Sequence, residues 1–149
     1  MKSLPILAAA FVLGFASAAA QAGAAHAAQP SSLTVTFKGL QQKTGAIMFT
    51  VVNSEAAYDG KAPVLAQTLI PVSGETAGKT FQDLAPGRYA IKAFHDVDGD
   101  GKMAANPFGM PTEPFAFSNN APARGGPAPW SAAAFEVGPQ GAAQTLVIR

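Results

Sequence analysis

Residues 84–96 read Leu84-Ala85-Pro86-Gly87-Arg88-Tyr89-Ala90-Ile91-Lys92-Ala93-Phe94-His95-Asp96, and this stretch decides the fold class. After the Pro86-Gly87 turn, Tyr89, Ile91 and Ala93 fall on one face and Arg88, Ala90 and Lys92 on the other. That two-residue period is a strand with one buried face. Tyr89, just past the turn, matches the tyrosine of many sandwiches whose hydroxyl reaches back to the backbone and pins a corner. A structural Tyr89 is therefore expected. The same alternation carries His95 to the face of Tyr89, pointing inwards at the strand end.

Working outward, the period persists. Leu33, Val35 and Phe37 alternate with Thr34, Thr36 and Lys38, and Gly39 and Gly45 bracket a turn. Ala46–Val52 is apolar on both faces, as for a central strand. Val64–Val72 and Lys79–Asp83 are further candidates, as are Ala133–Val137 and Gln144–Arg149 either side of Gly138-Pro139-Gln140-Gly141. No window past the leader carries a sustained helical repeat. About seven short strands with Gly/Pro turns predict an all-β fold, an antiparallel Greek-key-like β-sandwich.

One stretch stands apart from that plan. Asn106–Pro129 is a 24-residue loop with prolines at 107, 111, 114, 122, 127 and 129. Loops of that length are usually functional or disordered. Phe108, Met110, Phe115 and Phe117 within it, and Trp130 just after it, would need cover, so a folded surface loop draped over one end or edge is predicted. Phe108, Phe115, Phe117 and Trp130, with Asn119, form a candidate ligand surface, because aromatics give large contact area at low entropic cost. The blander expectation is that the phenylalanines seal the loop against the sheet.

The string His95-Asp96-Val97-Asp98-Gly99-Asp100-Gly101-Lys102 carries the most chemistry. Asp96, Asp98 and Asp100 at alternate positions before glycine are the opening half of a calcium loop, with the Lys102 carbonyl at the seventh position. Twelve places in stands Pro107 where an EF-hand needs a bidentate glutamate, and the loop follows a strand, so it is not an EF-hand. Asn106 or Glu113 would supply the missing oxygen, and Ca²⁺ is the cofactor such a set would take. The competing reading is a turn in which the aspartates accept local backbone N–H groups and Gly99 and Gly101 take positive φ.

Catalytic patterns are scarce. The chain has no cysteine, no G-x-S-x-G elbow, no H-E-x-x-H and no phosphate loop. One histidine beyond the leader cannot build a His-rich zinc site. A rival enzymatic reading assigns His95, Asp96 and Glu113 to a small metal-assisted hydrolase and requires the two carboxylates to approach His95.

Taken together, His95-Asp96-x-Asp98-Gly99-Asp100-Gly101-Lys102, then Asn106-x-Phe108-Gly109-Met110-Pro111-x-Glu113, then Phe117-Ser118-Asn119-Asn120 resemble a bacterial family of small exported proteins. It is catalogued as a domain of unknown function, number two-one-four-one. The resemblance covers essentially the whole chain past the leader and implies a sandwich similar to transthyretin-like and carboxypeptidase-regulatory-like domains. It implies no activity, cofactor or catalytic residue. Family members often carry asparagine in place of Asp98 and Asp100, and an acid in place of Ala104.

At the N-terminus, Lys2, the apolar run Leu4–Ala20 and the small residues that follow form a secretory leader over residues 1–27, cleaved after Ala27 or, failing that, Ala20. The run is short for a spanning helix, so no stable membrane anchor is expected after cleavage. Without cysteine, neither a lipid attachment nor a disulfide is available, and the single domain 28–149 must fold on its core alone. Cleavage removes Lys2 and no acid from a chain of net charge +1, leaving it neutral. Neutrality argues against nucleic acid as partner, which needs a basic footprint. The expectation is a periplasmic or secreted, non-enzymatic module that binds an as yet unspecified ligand or envelope partner, with a purely structural domain as the plainest alternative.

Overall fold

A computed structural model describes residues 30–149; the leader and its cleavage sites lie outside the described residues. Eight strands and two single-turn helices follow in the order β1 (Ser31–Lys38), β2 (Ala46–Val52), α1 (Glu55–Tyr58), β3 (Ala66–Pro71), β4 (Ala77–Leu84), β5 (Gly87–Asp96), β6 (Phe115–Phe117), α2 (Trp130–Ala133), β7 (Phe135–Val137) and β8 (Ala142–Val147). They build a three-stranded sheet, β4-β1-β8, and a five-stranded one, β3-β2-β5-β6, with β7 also on β5. The fold is an all-β sandwich.

The alternation seen in the sequence is the alternation of burial. Leu33, Val35 and Phe37 of β1 are fully buried, as are Leu146 of the neighbouring β8 and Ile47, Val51 and Ile91 of the facing sheet. Phe37 meets Phe49 across the core edge to face, centroids 4.9 Å apart. Truncating a buried phenylalanine such as Phe37 to alanine removes about 3–5 kcal/mol. The Tyr89 hydroxyl donates to the Ala85 carbonyl at 2.7 Å, the expected corner pin.

Three features depart from the sequence reading. β1 pairs parallel with β8, in register from Leu33↔Ala142 to Lys38↔Val147, so the sandwich is not purely antiparallel. A strand, β6, lies inside the long loop: preceded by Pro114 and only three residues long, it is too brief for periodicity to register. The apolar stretch from Ala133 divides, with α2 ending at Ala133 and only Phe135–Val137 extended.

β5 positions everything that follows. Along one edge it pairs with β2, and along the other with β7 near its start and β6 near its end. Its inner face carries Tyr89, Ile91 and Ala93 into the main core. Its outer face carries Ala90 into a second cluster with Val52, Ala57, Tyr58, Phe117, Ala128 and Ala133. α1 and the Ala121–Trp130 segment therefore cover one half of the five-stranded sheet, and the other half runs towards the Asp loop.

Candidate functional site

β5 ends in His95 and Asp96, and alternation sends their side chains to opposite faces. His95 is buried with the core residues, 1% exposed, and its Nε2–H donates to the Thr44 carbonyl at 2.7 Å. Asp96, also buried, opens the loop on the outer side. The histidine is thus committed to a structural bond with the Thr44 carbonyl, on the face of β5 opposite Asp96.

The carboxylates do assemble. Asp96, Asp98 and Glu113 each offer an oxygen, and these atoms lie within 4.8 Å of one another. Such a cluster is able to hold a metal ion. Asp96 and Glu113 are buried and Asp98 is exposed, so the group is open to solvent on one side. Glu113 is therefore the residue that stands beside the first two aspartates. Asp100 is outside the group and accepts the Lys102 N–H at 2.7 Å. Lys102 is exposed. Asn106 is engaged elsewhere, its Oδ1 accepting the N–H groups of Phe108 and Met110.

The same carboxylates also organise the backbone. Asp96 Oδ1 accepts the Gly99 N–H at 2.8 Å and Oδ2 the Gly101 N–H at 3.0 Å. Glu113 Oε1 accepts the Val97 N–H and Oε2 the Ala104 N–H, both at 2.9 Å. Gly99 and Gly101 take φ of +78° each, the left-handed region that glycine enters without steric cost. The predicted turn is thus present, and because each carboxylate oxygen has more than one lone pair, a turn and a metal site are not exclusive. A fixed glycine backs the loop: a Cβ on Gly45 would stand 2.0 Å from the Asp96 carbonyl oxygen.

From this base rises a short hairpin. The Thr112 N–H donates to the Ala104 carbonyl, the Asn106 N–H to Met110 and the Gly109 N–H to Asn106. At its tip Phe108 is 90% and Met110 63% exposed. Phe108 therefore does not seal the loop; the asparagine-capped turn satisfies its own backbone and carries the ring outward. Phe117 is buried and Phe115 half-buried, their rings 5.8 Å apart, so these two do seal it. Trp130 is half-buried between the Tyr58 ring and the Arg88 guanidinium, 5.8 and 5.6 Å away.

Asn119, grouped by sequence with the ligand surface, is turned to the protein. Its Nδ2 donates to the carbonyls of Ala132, Ala133 and Ala134. Ser118, fully buried, accepts the Ile91 N–H and donates to the Ala133 carbonyl at 2.6 Å. Asn120 copies a strand partner for β8, donating to the Thr145 carbonyl and accepting the Val147 N–H. Asn119 and Asn120 both take positive φ, 57° and 51°, which asparagine tolerates better than most residues. The Ser-Asn-Asn triplet is a staple joining β5, β8 and the end of α2. This work is not assigned by the motif itself, although two adjacent asparagines after a serine are a usable signal for left-handed, backbone-bonded geometry.

A second group missed from sequence surrounds Lys92. Its ammonium donates to the Tyr58 carbonyl and lies 4.2 Å from the Tyr58 ring centroid, and burial holds its pKa below the usual lysine range. The Tyr58 hydroxyl donates to the Ala128 carbonyl at 2.7 Å, and burial, with Asp59 adding, pushes it up to about 12. Tyr58, Lys92, Lys61 and Pro127–Pro129 line an open depression of about 430 Å³.

Among the described residues no helix is long and apolar enough to cross a membrane. No curated protein and no solved structure matches the chain. A family model described as "Uncharacterized protein conserved in bacteria (DUF2141)" matches residues 35–145. The chain belongs to that family.

Proposed function

We propose that this protein is an exported, non-enzymatic binding module whose Asp96–Asp98–Glu113 end takes a calcium ion. The observation that carries the reading is the convergence of three carboxylates, from two segments of chain, with one of them open to solvent. The ligand atoms are all oxygens, which suits a hard cation such as Ca²⁺ and not zinc or copper. A cation there would relieve the repulsion of three clustered acids and brace the base of the exposed hairpin. Export follows from the leader at residues 1–27 and would place the module in the periplasm or outside the cell, where calcium is available and where a ligand or envelope partner would be met. The distinctive side chains cluster on loops over a rigid sandwich, the usual place for recognition.

The test is thermal unfolding with EDTA, Ca²⁺, Mg²⁺ and Zn²⁺. A ligand that binds only the folded state stabilises it by about 2.7 kcal/mol at a hundredfold excess over its dissociation constant. A calcium-selective rise that disappears in Asp98→Ala supports the reading, because Asp98 is exposed and its loss spares the fold. An unchanged melting curve in all four conditions leaves the loop as a turn and sinks the proposal.

A further inference from the structure

Lys92 of β5 is half-buried, and its ammonium donates to the Tyr58 carbonyl and lies against the Tyr58 ring. Neither partner carries a full negative charge. Among the described residues no carboxylate comes within ion-pair distance of it: Glu75, Asp59 and Glu136 are held by Lys43, Lys61 and Arg88. Asp59 acts on Lys92 only from further off, and burial outweighs it, so the lysine pKa stays below its usual range. A cation drawn out of water is ordinarily matched by an anion. Here the ammonium is not sealed in. With Tyr58, Asp59, Lys61, Pro127 and Pro129 it lines a depression of about 430 Å³ open to solvent, a size within the range of about 300–1,000 Å³ that ligand pockets occupy. The bond from the Tyr58 hydroxyl to the Ala128 carbonyl ties the α1 wall to the proline wall, so the depression is shaped before any ligand arrives.

We infer that this depression binds a small organic monocarboxylate, its carboxylate on the Lys92 ammonium and its apolar body against Pro127 and Pro129. An ammonium has three donors, and the Tyr58 carbonyl takes one, which leaves two for the oxygens of an incoming anion. Charge sets the valence of that anion. Two lysines against one aspartate leave the lining a single positive charge, which one carboxylate neutralises. A phosphate dianion exceeds that charge, and the lining has no arginine fork to match it. The proline rings are rigid and carry no N–H, so they form an apolar wall without donors that compete for the anion. This site is separate from the carboxylate cluster, since Asp96 stands four residues further along β5, about 13 Å away at the rise of a strand.

The test is isothermal titration calorimetry of the full chain with phenylacetate, hexanoate, acetate and inorganic phosphate, in EDTA so that the carboxylate cluster takes no part. Phenylacetate or hexanoate is expected to saturate one site at millimolar concentration, with acetate and phosphate weaker by about tenfold or more. Trp130, the only tryptophan of the chain and 5.8 Å from the Tyr58 ring, follows the same titration by fluorescence. Lys92→Gln keeps a donor for the Tyr58 carbonyl and is expected to weaken binding by about tenfold or more. Asp59→Asn, at an exposed position, removes the negative charge from the lining and is expected to tighten binding about two- to fivefold. If circular dichroism shows Lys92→Gln unfolded, Asp59→Asn decides alone. Absence of saturable binding by both apolar acids, equal affinity for all four anions, affinity unchanged in a folded Lys92→Gln, or affinity that Asp59→Asn does not raise overturns the inference.

Discussion

Asp96 and Glu113 hold the same loop from opposite ends: Asp96 accepts the N–H groups of Gly99 and Gly101, and Glu113 those of Val97 and Ala104. Four backbone donors of the loop are thereby satisfied by two carboxylates. The loop's shape depends on these two residues, whatever else the cluster binds.

Asp96→Ala is accordingly expected to lower stability by about 1.5–3 kcal/mol, because it removes a buried carboxylate and the two charge-assisted bonds by which it shapes the loop. Asp98→Ala, at an exposed position, should cost within about 0.5 kcal/mol. Urea unfolding of both variants in EDTA checks the contrast. Equal losses would mean that the loop is held by something other than the Asp96 carboxylate.

Removal of the Ser118 hydroxyl takes a buried acceptor from the Ile91 N–H and leaves the Ala133 carbonyl only its longer bond from Asn119, so Ser118→Ala should cost about 1–3 kcal/mol. At Asn119 the backbone and the amide separate cleanly. Asn119→Gly keeps the positive φ and loses the side-chain bonds, whereas Asn119→Ala loses both and should be worse by about 1 kcal/mol. Denaturant midpoints of the three variants provide the comparison.

Alkali should expose Tyr58. Its folded pKa, pushed up to about 12, lies above the ordinary value of 10.0, so the fold favours the neutral phenol. The stabilisation is fully present below pH 10 and is lost as pH rises from there through about 12. Tyr58→Phe should remove that part of the alkaline loss while costing about 1 kcal/mol at neutral pH for the Ala128 bond. Melting temperatures measured from pH 8 upward distinguish the two proteins; parallel curves would show that the phenol does not contribute.

Phe108→Ala should leave the melting temperature essentially unchanged, within about 0.5 kcal/mol, since the ring touches little of its own chain. Phe117→Ala, buried in the outer cluster, should cost about 3–5 kcal/mol. Differential scanning calorimetry of both variants tests whether the hairpin tip is built for an external contact and not for the fold.

What the sequence made legible and what it did not divide along physical lines. Strands with one face in the core show in their period, as Tyr89, Ile91 and Ala93 do, and His95 and the Tyr89 corner were readable from the same strand. Gly99 and Gly101 announced their positive φ because clustered aspartates and glycines favour that turn. For Phe108 only the sealing expectation fails, because an aromatic ring in a loop ordinarily finds cover and the self-contained Asn106 cap explains why this one does not. β6 and the parallel β1–β8 pair were invisible for another reason. Three residues are too few to show a period, and pairing partners far apart in the chain leave no local trace. Asn120 acts through β8 and Lys92 through α1, contacts that no spacing rule encodes.

The parallel register of β1 with β8 bears on how the molecule comes into being. Leu33 meets Ala142, so the first described strand waits for the last one before its sheet is complete. Such distant pairings raise contact order and slow folding. Until β8 has been made, β1 lacks one of its two neighbours, and the three-stranded half of the sandwich cannot close. A truncation that removes β8 would therefore leave an aggregation-prone intermediate and not a smaller folded domain.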